Sequence, residues 1–483
     1  MKEIGTRMVI RSKLFAALAI ALGFGGRLSA APVHDFGCLA SSGEDLHGRE
    51  DARGLGPLVE WADQGGDRPA VRAVRPFFSL EYDARTGKED FDILWPVAHI
   101  RHWKGQTDWR FLTAFYLGPH PADPSSQYAF WILPVFAVGR NKAGEDYGAV
   151  FPLGGRVDNW FGRDRMEFAL FPLYCHSELN DLRTDHWLWP IVSRTTGDKL
   201  YRFRVFPFYG RSEKKGEGES KFIMWPFWTS ARNDRPGVRG EGYMVFPFYG
   251  HAKTEKEETW MFLPPFFRHT VGRGGTESIY FWPVYQAKQS KDQDKLYVWP
   301  LYGRRTTADE ERRFWLWPFV WKRHEKCPPV AIDKFRVFPL YESEATRSLS
   351  APTNVVERYV SVWPLVSYER KKDDYKRVRC LDLWPFRDTA PIERNLSSLW
   401  SLFQYEQTPR GSETELLWGA ARWGCRTNGA SYGSLFPLAS WSHDREADTQ
   451  RGWEFLKGLL GYERNETGKT WRALYFIRWR TEP

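Results

Sequence analysis

The chain sets a proline in the middle of short aromatic runs, and repeats this along most of its length. "VFPFYG" at 205–210 returns letter for letter at 245–250, with "MWPFW" at 224–228 between them. Proline has no N–H and holds the preceding residue extended, so it sits at an edge, a bend or a bulge but not inside a regular ladder. Each such proline therefore marks a point where one extended segment hands over to another.

Aligned on that residue, the array runs through Pro76, Pro96, Pro134, Pro152, Pro172, Pro190, Pro207, Pro226, Pro247 and Pro264. It continues through Pro283, Pro300, Pro318, Pro339, Pro364, Pro385 and Pro437, with Ala114, Ser401, Gly419, Gly458 and Phe476 in the proline's place at weaker copies. The spacing averages about 19 residues, the signature of a repeat architecture. Around each node lie about five residues rich in Phe, Val, Tyr, Trp and Ile on either side, then a polar tip such as "SEKKGEGES" at 212–220. These are strands joined by turns. No segment of the array carries ten or more residues of helical period.

The expected fold is all-β: a single array of about 20 β-hairpin repeats over 71–483, closing into a shallow barrel or flower with a proline at each bend. In "LYVWPLYGRR" both alternating faces are apolar near the node, which predicts a buried centre. Its packing residues would be Trp95, Trp189, Phe206, Trp225, Phe246, Trp282, Trp299, Trp317, Phe338, Trp363, Trp384 and Phe436.

Residues 1–30 read as a signal peptide. Lys2, Arg7, Arg11 and Lys13 precede the apolar run "LFAALAIALGFGG", too short to span a bilayer, and small residues follow near Ala30. Residues 31–70 read as a flexible linker. The formal net charge of +9 falls to about +5 once the leader is removed, so the basic pI is no argument for a nucleic-acid partner. The five cysteines, Cys38 among them, show no metal-finger spacing, and "HDFGC" lacks the residues expected before a lipidated cysteine. The implied location is the periplasm or cell envelope.

On these Trp-Pro and Phe-Pro nodes the array resembles bacterial exported proteins of unknown function built from β-hairpin repeats, and its inferred shape is similar to the β-flower fold. β-flowers have been compared with tubby-type lipid-binding barrels. The resemblance therefore implies membrane-lipid association rather than catalysis, although the central helix of tubby-type barrels has no candidate here.

No hydrolase elbow, P-loop or zinc-protease motif is present, and neither a catalytic residue nor a cofactor is expected. "GVRGEG" at 237–242 is a hairpin tip, and His99 and His102, three apart on a strand, fall on opposite faces. One pattern is sharper. Four residues past the proline a basic side chain recurs at Arg156, His176, Arg194, Arg211, His251, Arg268, Arg304 and Lys322, and two past it stand Tyr174, Tyr209, Tyr249, Tyr285 and Tyr302. The strand period of two puts both sets on one face, an aromatic tier beneath a cationic one, suited to anionic lipid or envelope glycan. A solvated rim whose cations pair with neighbouring carboxylates is the plainer reading. An outer-membrane barrel of about 22 strands, and a secreted glycan-processing enzyme, are the other two functions this sequence leaves open.

Overall fold

A computed structural model describes residues 34–65, 68–351, 355–372, 374–444, 450–465 and 468–481. The signal-peptide stretch lies outside them. The protein is all-β, with 46 antiparallel strands among the described residues, most of five or six residues, and within each unit described below strands pair with their neighbours in sequence. Among the described residues no ladder joins the last strands to the first, so the expected closure into a barrel is not found. The described residues form two compact units: one within 105–339 and 346–351, and a second within 34–104, 340–345 and 355–481.

The prolines mark reversals, and the reversal is complete, except at Pro385, which lies in irregular chain between the strand ending at Cys380 and the helical segment and turns no hairpin. At Pro247 the strand Gly240–Val245 ends, the chain turns, and Tyr249–Thr254 runs back beside it, with Val245 opposite Tyr249. The Phe248 N–H donates to the Val245 carbonyl at 2.8 Å across a cis Phe246–Pro247 bond, which is a type VI turn. A second form has one more residue. At Pro172, Ala169 faces Tyr174, and Leu170 takes a left-handed φ of 46° before the same hydrogen bond from Leu173 to Leu170. Pro264 is not the turn residue of its repeat; the cis bond joins it to Pro265, one place later.

Successive turns also bond to one another. The Trp189 N–H donates to the Pro172 carbonyl, Trp225 to Pro207 and Trp317 to Pro300, each within 2.8 Å. Their rings form an edge row, with centroids 5.6 Å apart for Phe171–Trp189, 5.5 Å for Phe206–Trp225 and 5.8 Å for Trp299–Trp317. This row is not a buried centre. Trp189, Trp225, Trp282, Trp299, Trp317 and Phe338 are exposed, and Trp95, Phe206, Phe246, Trp363, Trp384 and Phe436 are half-buried. The reason is the tight reversal. It leaves the node side chains at the rim of a sheet, where only the next turn packs on them.

The unit holding the first and last described strands differs from expectation in three ways. The stretch read as a linker carries the strands Ala40–Glu44, Glu50–Gly54 and Val59–Ala62, which pair in order and then pair with Ala70–Val74. A helical segment spans 390–400, entered through Pro391 and burying Arg394, Asn395 and Ser397. Finally, the interior between the early and late strands is charged rather than aromatic. Arg53 meets Glu415 at 2.9 Å, His47 meets Glu406 at 3.1 Å, and the Arg75 Nε–H donates to the Arg394 carbonyl at 2.7 Å. Asp92, fully buried, accepts from Arg394 Nε at 2.9 Å and Asn395 Nδ2 at 2.7 Å, and lies 2.6 Å from His99 Nδ1.

Candidate lipid-facing surface

The sequence-derived tiers fall in the unit Gly105–Pro339, where the strand register can be followed from partner to partner. Beginning at Arg156, one cross-strand row reads Glu167, His176, Asp185, Arg194, Phe203, Arg211, Lys221 and Ser230. The same row continues through Tyr243, His251, Trp260, His269, Ser278, Ala287, Leu296, Arg304, Arg313 and Lys322. Seven of the eight predicted cations share it. Arg268 does not. It pairs with Met261 and Ile279 on the opposite face, because the turn proline is Pro265 and the register moves by one; His269 takes its place. From Arg194 to Lys322 this row contains no carboxylate.

Two residues nearer the turns, on the same face, lies a second row: Tyr174, Trp187, Val192, Val205, Tyr209, Ile223, Trp228, Val245 and Tyr249. It runs on through Phe262, Phe267, Tyr280, Tyr285, Val298, Tyr302, Trp315 and Val320. All five predicted tyrosines are in it, and every member is apolar or aromatic. The turns beyond it are apolar too. Phe248 is 65% exposed, Phe281 64% and Phe208 58%.

Two residues further from the turns, a third row is mixed and rich in carboxylates, with Glu178, Glu213, Glu219, Glu241 and Glu258 among its members. It supplies most partners of the cationic row. Arg211 Nε lies 2.5 Å from Glu219, His251 lies 2.9 Å from Glu258, and Arg304 lies 3.9 Å from Glu311. Arg156 pairs with Glu145 at 2.7 Å and Asp158 at 2.8 Å. His176 lies 2.7 Å from Asp185 in its own row; burial opposes its charge, but the hydrogen bonds it donates to Asp185 and Glu178 outweigh that and raise its pKa. Burial, with the Tyr174 hydroxyl donating to Asp185, pushes that phenol up to about 12. Arg194 and Lys322 have no ion pair among the described residues, and Arg194 stands 5.9 Å over the Tyr201 ring.

Sequence reasoning missed the incoming strands. Trp187, Ile223, Phe262 and Trp315 extend the aromatic row, and Lys221 and Arg313 extend the cationic one. It also missed a cavity of about 360 Å³ in the other unit, lined by Arg53, Arg75, Arg377, Glu60, Glu406 and Glu415 among others. Burial opposes ionisation of Glu60, but Arg75 and Arg53 overcome it and hold the carboxyl at about 2. Burial pushes nearby Asp51 up to about 6 against the pull of Arg53. Asp51 does not line the cavity, so these two carboxylates present no acid–base pair to a substrate there. Of the remaining expectations, all five cysteines are unpaired, and His99 is held by Asp92.

No known protein-family model and no curated protein sequence matches this chain.

Proposed function

We propose that the protein is a non-enzymatic envelope protein that rests edge-on against an anionic membrane surface, its proline turns dipping into the interface. The observation that carries this reading is the order of the rows: apolar turns, then an aromatic row, then a cationic row, then a carboxylate-rich one. That is the order of environments met on leaving a bilayer with anionic headgroups, where aromatic rings favour the interface and cations the headgroup plane. At about 3.3 Å per residue the apolar margin is roughly 7 Å deep, within the ~5–10 Å reached by interfacial elements.

The same arithmetic disfavours an outer-membrane barrel. Strands of six residues extend about 20 Å, and a spanning strand needs about 9–11 residues. Anionic glycan would use the cationic row but leave the exposed turns without a partner.

The test replaces Phe208, Phe248 and Phe281 by serine together and measures binding to vesicles of phosphatidylglycerol and phosphatidylcholine. A fully inserted phenylalanine contributes about 1.5–3 kcal/mol, so binding should fall by at least a hundredfold on both vesicle types. Unchanged binding would remove the turns from the interface.

A further inference from the structure

On the opposite face of the same sheet lies a cavity of about 550 Å³, a volume typical of small-molecule sites. It exists because the strands beneath it carry small side chains: Ala137 faces Ala149, and Ala149 faces Gly155. Larger apolar groups wall it, notably Phe151, Val157, Met166 and Phe168. The loop 159–164 reaches its margin with Trp160, packed edge-on against Trp131 at 5.1 Å, and with Phe161, 83% exposed.

One part of the wall is different. Cys175 and His186 are directly opposed across two strands there, and Arg163 lines the cavity with them. The cavity lining contains no carboxylate among the described residues. Arg163 has no ion pair among them, and His186 Nδ1 is buried without a hydrogen-bond partner. Burial, followed by the charges of Arg204 and Arg163, lowers the His186 pKa against the opposing charge of Asp185. Burial raises the pKa of the Cys175 thiol, which makes it a poor nucleophile and argues for holding a ligand rather than attacking one.

We propose that the cavity binds a single-chain amphiphile with an anionic head, of the fatty-acid type. The tail lies among Phe151, Val157, Met166 and Phe168, and the carboxylate is held by Arg163 and His186 Nδ1. An apolar chamber that leaves a cation and a buried ring nitrogen unpaired is complementary to that ligand and not to a neutral alkane. The inference does not rest on the membrane-edge reading, since the cavity lies on the other face from the three rows.

The test titrates the full chain with palmitate, and with hexadecanol as the uncharged arm, by isothermal calorimetry without vesicles and below micelle-forming concentrations. Palmitate should bind at least tenfold more tightly than hexadecanol. Arg163→Gln should erase that difference while leaving hexadecanol unchanged. Ala149→Phe should abolish both, with circular dichroism showing the strands intact; Ser177→Phe fills the same space should the first variant fail to fold. Equal affinity for the two ligands in the native chain, no binding of either, or undiminished palmitate binding in a folded cavity-filling variant would overturn the proposal.

Discussion

Changing Arg194 and Lys322 together to glutamine should weaken association with anionic vesicles about 30-fold. The figure comes from the pairing pattern. A cation near an anionic surface contributes about 1 kcal/mol, so two unpaired ones contribute about 2 kcal/mol, or roughly 30-fold. Arg194 and Lys322 are the predicted cations of the row without an ion pair among the described residues. Arg211 is different, because Glu219 at 2.5 Å and Glu213 at 3.1 Å already offset its charge. Arg211→Gln should therefore change binding by less than about threefold. Arg268 provides an internal control: it lies on the other face, paired with Glu277 at 3.1 Å, and Arg268→Gln should leave binding unchanged. Cosedimentation with phosphatidylglycerol vesicles across a salt series is the assay, and the difference between the variants should shrink as salt rises. If Arg268→Gln costs as much as Arg194 and Lys322 combined, or if none of them matters, the row does not read a membrane.

Three further outcomes are expected from the packing. Trp299 is 36% exposed and leans on Trp317, so Trp299→Ala should cost about 1–2 kcal/mol in urea unfolding rather than the roughly 3–5 of a core tryptophan. Asp92→Ala leaves Arg394 buried without its main partner and should cost about 3–5 kcal/mol, seen as a large fall in melting temperature. Asp51 should titrate near pH 6 by carboxyl NMR, and lower in Glu60→Gln, because the Glu60 charge helps raise it. A raised acid pKa means the native state binds the extra proton, so Asp51 favours folding below about pH 4, and that contribution is lost as pH rises through 6.

Much of the fold was legible because each turn proline sets the register of the strand that leaves it. Residues two and four past each turn keep one register through both turn forms, so the tyrosine and cation tiers could be read from spacing alone. The incoming strands could not. Turns of the Pro172 kind insert one residue before the proline and those of the Pro247 kind do not, which hides Trp187 and Ile223 from any alignment on the proline. The Pro264–Pro265 doublet misplaced Arg268 in the same way. The segment 390–400 shows no helical stripe because its buried residues include Arg394, Asn395 and Ser397. The strands between 40 and 62 read as linker because they face a charged interior, with Arg53 and Glu60 where apolar residues would signal a strand. The apolar cavity was invisible for a different reason. It is made by Ala137, Ala149 and Gly155 meeting across strands whose register the sequence does not state.

The central claim is that the proline turns, not the polar tips, meet the membrane. Hydrogen–deuterium exchange of the full chain with and without phosphatidylglycerol vesicles tests it most directly. The account predicts added protection in peptides covering 206–208, 246–248 and 281–284, and none at the tips 215–217 and 235–239. Protection confined to the tips, or spread evenly over both ends of the strands, would contradict it.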